Sequence, residues 1–177
     1  MARYFDIHPA NPQRRAIVQV AGIVREGGVI AYPTDSCYAL GCQLGNKEGI
    51  ERIRSIRQLD DRHHLTLVCQ DFAQLGQFVH VPNRVFRAIK AATPGSYTFI
   101  LEATKEVPRR LQHPGKKTIG VRIPNHTVTK ALLEELGEPL GRGRMWASLG
   151  TRVGRRGWLS FGTPLGGARR RNDRKRR

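Results

Sequence analysis

Apolar residues at Ile17, Val20, Ala21 and Val24 recur at the three- and four-residue spacing of one helical face. They predict a helix over 14–26, with Asn11-Pro12 as N-cap and first turn and Gly27-Gly28 as its stop. The pattern then changes. Residues 29–32 (Val-Ile-Ala-Tyr) form a continuous apolar run, the mark of a strand buried on both faces. Asn46 reads as the cap of a second helix running to Ile56, and 65–69 reads as another strand. Asp71 caps a short helix that presents Phe72, Leu75 and Phe78. A further helix over 83–92 ends at Thr93-Pro94-Gly95. Strands are predicted at 97–103 and 118–123, and a helix at 127–136 closed by Gly137. Helices alternating with strands imply an α/β fold, a mixed sheet with helices packed on it.

Pro33 ends the first strand, because it has no N–H to donate to a ladder. Thr34, Asp35 and Ser36 follow, three small oxygen-bearing side chains just past the strand's carboxyl end. Ligands of open α/β sheets bind at such an edge. The same residue types also dominate ordinary turns for purely local reasons. Spacing alone leaves both readings open.

The longer stretch Tyr32-Pro33-Thr34-Asp35-Ser36-Cys37-Tyr38-Ala39-Leu40-Gly41 resembles the YPTDT-x-YGL signature of the YrdC/YciO family, which includes the threonylcarbamoyl-AMP synthases of tRNA modification. The similarity continues in order through Glu51-Arg52-Ile53, Ile56-Arg57-Gln58-Leu59, the Pro94–Leu101 stretch and Thr118–Pro124. Ile7-His8-Pro9 and Lys105-Glu106-Val107-Pro108-Arg109-Arg110 resemble the YciO branch. The resemblance covers residues 3–139. It implies a YrdC-like twisted mixed sheet with flanking helices and a concave basic surface, incomplete at the C-terminus.

The reaction that the resemblance implies condenses threonine and bicarbonate with ATP, giving threonylcarbamoyl-AMP and pyrophosphate. ATP, with Mg2+, is then a substrate; no tightly bound cofactor and no protein metal site are implied. By resemblance, Thr34 and Tyr38 belong to a threonine pocket and Arg122 pairs with a carboxylate. Thr118 and Arg57 resemble nucleotide contacts, Arg57 being the catalytic cation. On a strand over 118–123, Thr118, Gly120 and Arg122 share one face. Taken singly, Arg122 is equally a solvated strand-end arginine and Thr118 a simple β-former.

Two departures weaken the expected activity. The synthases carry a Lys-x-Arg pair where this chain has Arg57-Gln58-Leu59. Arginine does not replace a lysine point charge, leucine contacts no phosphate, and Asp60-Asp61 adds negative charge nearby. The family's later Ser-x-Asn strand is also missing. After Pro139 the chain turns to Gly141-Arg142-Gly143-Arg144, with neither helical nor strand periodicity. Residues 1–139 are therefore read as a truncated YrdC/YciO-like domain. Residues 140–177 are read as an Arg/Gly-rich basic tail, disordered or produced by a reading-frame change.

Charge sharpens that division. The net charge is +17. Residues 1–139 carry 19 basic against 13 acidic side chains, whereas residues 140–177 carry 12 against one. The terminal arginine block repels itself and cannot build a core. Cys37, Cys42 and Cys69 form no CxxC pair, so reduced thiols in or near the core are expected rather than a zinc or disulfide framework. No apolar run approaches the ~20 residues of a membrane span, and the N-terminus lacks a signal-peptide pattern. The expected location is cytoplasmic. Three functions follow: a weak or inactive synthase-like protein, alongside other tRNA-modification proteins; a non-catalytic module for double-stranded RNA or tRNA; or a truncated product without function. Arg109, Arg110, Lys116 and Lys117 are the RNA-phosphate candidates, although any one of them taken singly reads first as a solvated loop cation.

Overall fold

The computed structural model describes residues 2–58, 65–144 and 157–161. The strands are β1 (Arg3–Asp6), β2 (Val29–Tyr32), β3 (Ala39–Gln43), β4 (Thr66–Val68), β5 (Val79–His80), β6 (Phe99–Ala103), β7 (Thr118–Arg122), β8 (Leu140–Arg144) and β9 (Gly157–Phe161). The helices are α1 (Arg14–Arg25), α2 (Lys47–Arg57), α3 (Phe72–Phe78), α4 (Asn83–Ala91) and α5 (Thr127–Leu136), with a 3-10 turn at Arg109–Leu111. Among the described residues the strands form one mixed sheet, ordered β1-β9-β2-β3-β8-β4-β7-β6-β5. The β4–β7 pair is parallel and the other pairs are antiparallel.

Helix boundaries follow local chemistry. Asn46 Oδ1 accepts from Gly49 N at 2.9 Å and Asp71 Oδ1 from Gln74 N at 2.7 Å, so both expected caps form. Asn46 also donates to Gly27 O at 3.0 Å, tying the stop of α1 to the start of α2. The first helix departs from expectation. Its N-cap is Gln13, not Asn11, and no side chain caps it. Asn11 N instead donates to His8 Nδ1, which places that residue in the preceding turn.

The apolar run of β2 is explained by burial on both faces. Val29 and Ala31 enter one core with Leu40, Cys42, Ile50, Ile53 and Leu67. Ile30 and Tyr32 enter a second core with α1 and α5, through Val20, Val24, Leu132 and Leu133. The first core covers its face as far as β6, where Phe99 and Leu101 pack against it. On the other face, α1 and α5 reach Val68 of β4 and Leu140 of β8. Beyond them Ile100 is 59% exposed on β6, and Glu102 is exposed beside it. This face is therefore open at β6, and beside it β7 carries the half-buried Thr118 and the buried Gly120 and Arg122.

Several strands escape the sequence pattern. β1, β3 and β5 are short or interrupted by glycine, and β3 earns its place through burial between β2 and β8. The larger correction concerns the tail. Residues 140–144 and 157–161 are strands, not irregular chain. β8 lies between β3 and β4, and β9 between β1 and β2. An inner strand is held by backbone hydrogen bonds to both neighbours, which demand no side-chain periodicity. Packing does not require glycine at 141, since a Cβ there would stand 3.7 Å from Cys42 O, an ordinary contact. The rest of the tail, 145–156 and 162–177, lies outside the described residues. No helix among the described residues is long and apolar enough to cross a membrane.

Two glycines separate packing from propensity. A Cβ on Gly41 would stand 2.7 Å from Tyr32 Cε1, against a ring with no exposed surface. Gly22, inside α1, has nothing within 4 Å of that point. Gly41→Ala is expected to lose about 1–3 kcal/mol by overpacking. Gly22→Ala is expected to gain up to about 1 kcal/mol from helix propensity. Urea unfolding should move the two midpoints in opposite directions at constant m-value. A raised midpoint for Gly41→Ala would contradict the packing argument.

Candidate functional site

The β2–β3 connection and the end of β7 meet, although β3, β8 and β4 lie between β2 and β7 in the sheet. Arg122 joins them. Its residue is 3% exposed, so its charge must be compensated inside the protein. The guanidinium pairs with Asp35 Oδ1, donates to Ser36 Oγ at 3.1 Å and donates from Nε to Gly95 O at 3.2 Å. Asp35 is fixed from its second oxygen, which accepts from Asn125 N at 3.2 Å.

The Pro33–Tyr38 segment is both things the sequence allowed, a turn and the wall of a site. Thr34 N donates to Cys37 O at 3.1 Å, and Thr34 Oγ1 accepts from Cys37 N at 3.3 Å. Thr34 Oγ1 also lies 3.3 Å from Ser36 Oγ. Thr129 of α5 donates its hydroxyl to Pro33 O, anchoring the turn from below. Local turn bonds thus shape the segment, and Arg122 fixes where it points.

The sequence-derived residues divide into groups. Thr34 and Arg122 are brought together through Ser36, and half-buried Tyr38 closes the same connection. Thr118 stands at the opposite end of β7, about 13 Å from Arg122 at about 3.3 Å per residue. Its Oγ1 is buried without a hydrogen-bond partner among the described residues. Arg57 is the last residue of α2, whose buried side faces the other core. Leu59, the departure from the Lys-x-Arg pair, lies outside the described residues. Arg109 and Arg110 are exposed in the 3-10 turn, and Lys116 and Lys117 in the turn that leads into β7.

Asp35, Gly95, Asn125 and His126 are additions that linear reading did not single out as a set. Asp35 is 87 residues from Arg122, and no local pattern links positions so far apart. His126 occupies the N-cap position of α5 with its Nδ1 buried and unbonded among the described residues. Burial pushes its pKa below the ordinary 6.5, opposed by the nearby Asp35 carboxylate. Cys42 and Cys69 are buried thiols pushed up to about 12, by burial in both and additionally by Asp71 beside Cys69. Neither is a thiolate nucleophile near neutrality.

Asp35→Ala leaves the Arg122 guanidinium buried without its counter-charge. The expected cost is about 3 kcal/mol, read from urea unfolding. A loss below about 0.5 kcal/mol would mean that the pair behaves like an exposed one. His126 sets a pH dependence. Folding lowers its proton affinity, so below about pH 6.5 the unfolded chain binds the extra proton and stability falls. Wild type should therefore lose more stability than His126→Gln between pH 7.5 and pH 5, measured by thermal unfolding. Parallel curves would remove His126 as the source.

The Sua5/YciO/YrdC family model, described as telomere recombination, matches residues 22–142. The uncharacterized protein YciO of Escherichia coli is 56% identical over 140 residues, covering 79% of this chain and 68% of that protein. A threonylcarbamoyl-AMP synthase of Chromobacterium violaceum is 36% identical over 133 residues, covering 75% of this chain and 68% of its own. The crystal structure of Escherichia coli YciO superposes with a TM-score of 0.81 at 52% identity, over 84% of this chain and 72% of that one. The structure of Sua5 from P. abyssi complexed with L-threonine gives 0.70 at 27% identity, over 75% and 39%. The matched region contains the turn at 33–38, Arg122 and the whole of α5. The chain belongs to the Sua5/YciO/YrdC family.

Proposed function

We propose that the chain is a threonylcarbamoyl-AMP-synthase-like protein of tRNA modification, with a retained threonine-side wall and a weakened nucleotide side. The observation that carries this reading is the convergence of Thr34, Ser36 and Arg122 at the border of the open sheet face. The turn supplies hydroxyls for a small polar amino acid, and Tyr38 bounds it. Arg122, whose charge Asp35 already compensates, holds the turn and so fixes where its hydroxyls point. Support also comes from relatives named as threonylcarbamoyl-AMP synthases and from a related structure complexed with L-threonine.

The nucleotide side rests on Thr118, on the partly open face, and by resemblance alone on Arg57, at the end of a helix packed over the opposite core. The buried, unbonded Thr118 hydroxyl is a polar group that a ligand would satisfy. Arg57 supplies one cation where the synthases have two, so less charge opposes the triphosphate as pyrophosphate departs. That loss accounts for a slow or silent adenylation step. A second reading takes the exposed Arg109, Arg110, Lys116 and Lys117 as contacts for RNA phosphates. What favours it is their gathering on two turns, with the Lys116–Lys117 turn closed by His113 N donating to Thr118 O at 2.8 Å.

Pyrophosphate release from ATP, threonine and bicarbonate tests the first reading, with threonine binding followed by calorimetry. The expected result is measurable threonine binding. Pyrophosphate release should be on the order of 10²-fold below a synthase with both cations. Thr34→Val should weaken threonine binding while leaving the fold intact. A folded chain that neither binds threonine nor releases pyrophosphate would overturn the proposal.

A further inference from the structure

The parallel strands β4 and β7 end side by side, and beyond their carboxyl ends lies a cavity of about 340 Å³. Ligands of α/β sheets seat outside such strand ends, and the volume falls at the lower end of the about 300–1,000 Å³ of small-molecule sites. Thr34, Tyr38 and Arg122 do not line it. Its walls include Gln70 and Asp71 after β4, Ile123 after β7, Lys90 and Thr93 from the end of α4, and Lys130 of α5. Two lysines from different helices and one aspartate therefore line the same cavity.

The polar groups are unequally committed. Asp71 Oδ1 caps α3 through Gln74 N, and the Thr93 hydroxyl donates to Ile89 O at 2.9 Å. Lys130 Nζ is steadied at 3.1 Å by Asn125 Oδ1, a neutral acceptor that leaves the charge uncompensated. Lys90 Nζ lies 5.9 Å from the centre of the Phe86 ring, a contact that positions a cation without neutralising it. Neither lysine forms an ion pair among the described residues. Elsewhere in the molecule, Arg122 shows the opposite arrangement, a cation paired by its own chain.

We propose that this cavity binds a phosphate-class oxyanion between Lys90 and Lys130. The side-chain amide of Gln70 is the neutral donor on the strand side. The site is coupled to the Arg122 turn. Asn125 receives Lys130 through its side chain and holds Asp35 Oδ2 through its backbone N–H. An anion that draws Lys130 toward itself shifts the residue that positions Asp35.

The test titrates the full chain with potassium phosphate against potassium chloride of equal ionic strength, following thermal unfolding. Saturable stabilisation by phosphate alone is expected. The Lys90→Gln/Lys130→Gln double variant should weaken it at least tenfold, and Lys116→Gln/Lys117→Gln should not. Glycerol 3-phosphate binding more tightly than inorganic phosphate assigns the site to a phosphorylated small molecule; the reverse assigns it to the free ion. Stabilisation that follows ionic strength only, or that survives in the Lys90/Lys130 variant, overturns the proposal. Amide spectra of the wild type keep the test independent of variant folding. Gln70 and Asn125 should move saturably with phosphate, and stationary resonances at both positions would equally overturn it.

Discussion

A buried guanidinium organises the functional end of this protein. Arg122 is almost fully withdrawn from water, and an uncompensated charge there would cost several kcal/mol. Its compensation comes from two places remote in sequence, the Asp35–Ser36 turn and the Gly95 carbonyl, and from one nearby, the Asn125 amide acting through Asp35. Each bond that satisfies the charge also positions a connecting segment. Turns after β2, before β6 and after β7 become parts of one constellation because one side chain needs all of them.

The sheet makes that constellation accessible. One face is sealed by α2 and its neighbours, whereas α1 and α5 cover only part of the other. Arg122 sits at the border, with its backbone in the covered sheet and its strand continuing under the open half. A fully covered face would have closed off the half-buried Thr118 and Tyr38. A fully open one would have left Arg122 hydrated and its partners without a fixed geometry. The half-covered face therefore unites a rigid support with an exposed surface.

This arrangement also separates two kinds of cation. Arg122 is neutralised by its own chain and acts as a fastener. Lys90 and Lys130 border a cavity on the neighbouring strand ends and keep their charge. The Asn125 backbone and side chain stand between the two systems. Membership of the Sua5/YciO/YrdC family fits the fastener and the turn, both of which lie within the matched residues 22–142.

Much was legible in the chain itself. The Ile17–Val24 stripe, the Asn46 and Asp71 caps and the apolar run of β2 are local or periodic features, and the structure reproduces them because neighbouring residues alone decide them. The turn at Pro33–Ser36 was legible for the same reason, as was its resemblance to a family motif. The strands at 140–144 and 157–161 were not: the Gly-Arg alternation of the first carries no hydrophobic period, the second is a short apolar run set among glycines and arginines, and backbone pairing with β3, β4, β1 and β2 supplies their order. Nor was the pairing of Asp35 with Arg122. The sequence determined the helices, the turn at 33–36 and the strands with a continuous apolar run, since those follow from short-range spacing. Tertiary structure alone decided which charge meets which, since a buried ion selects its partner by position in space and not along the chain.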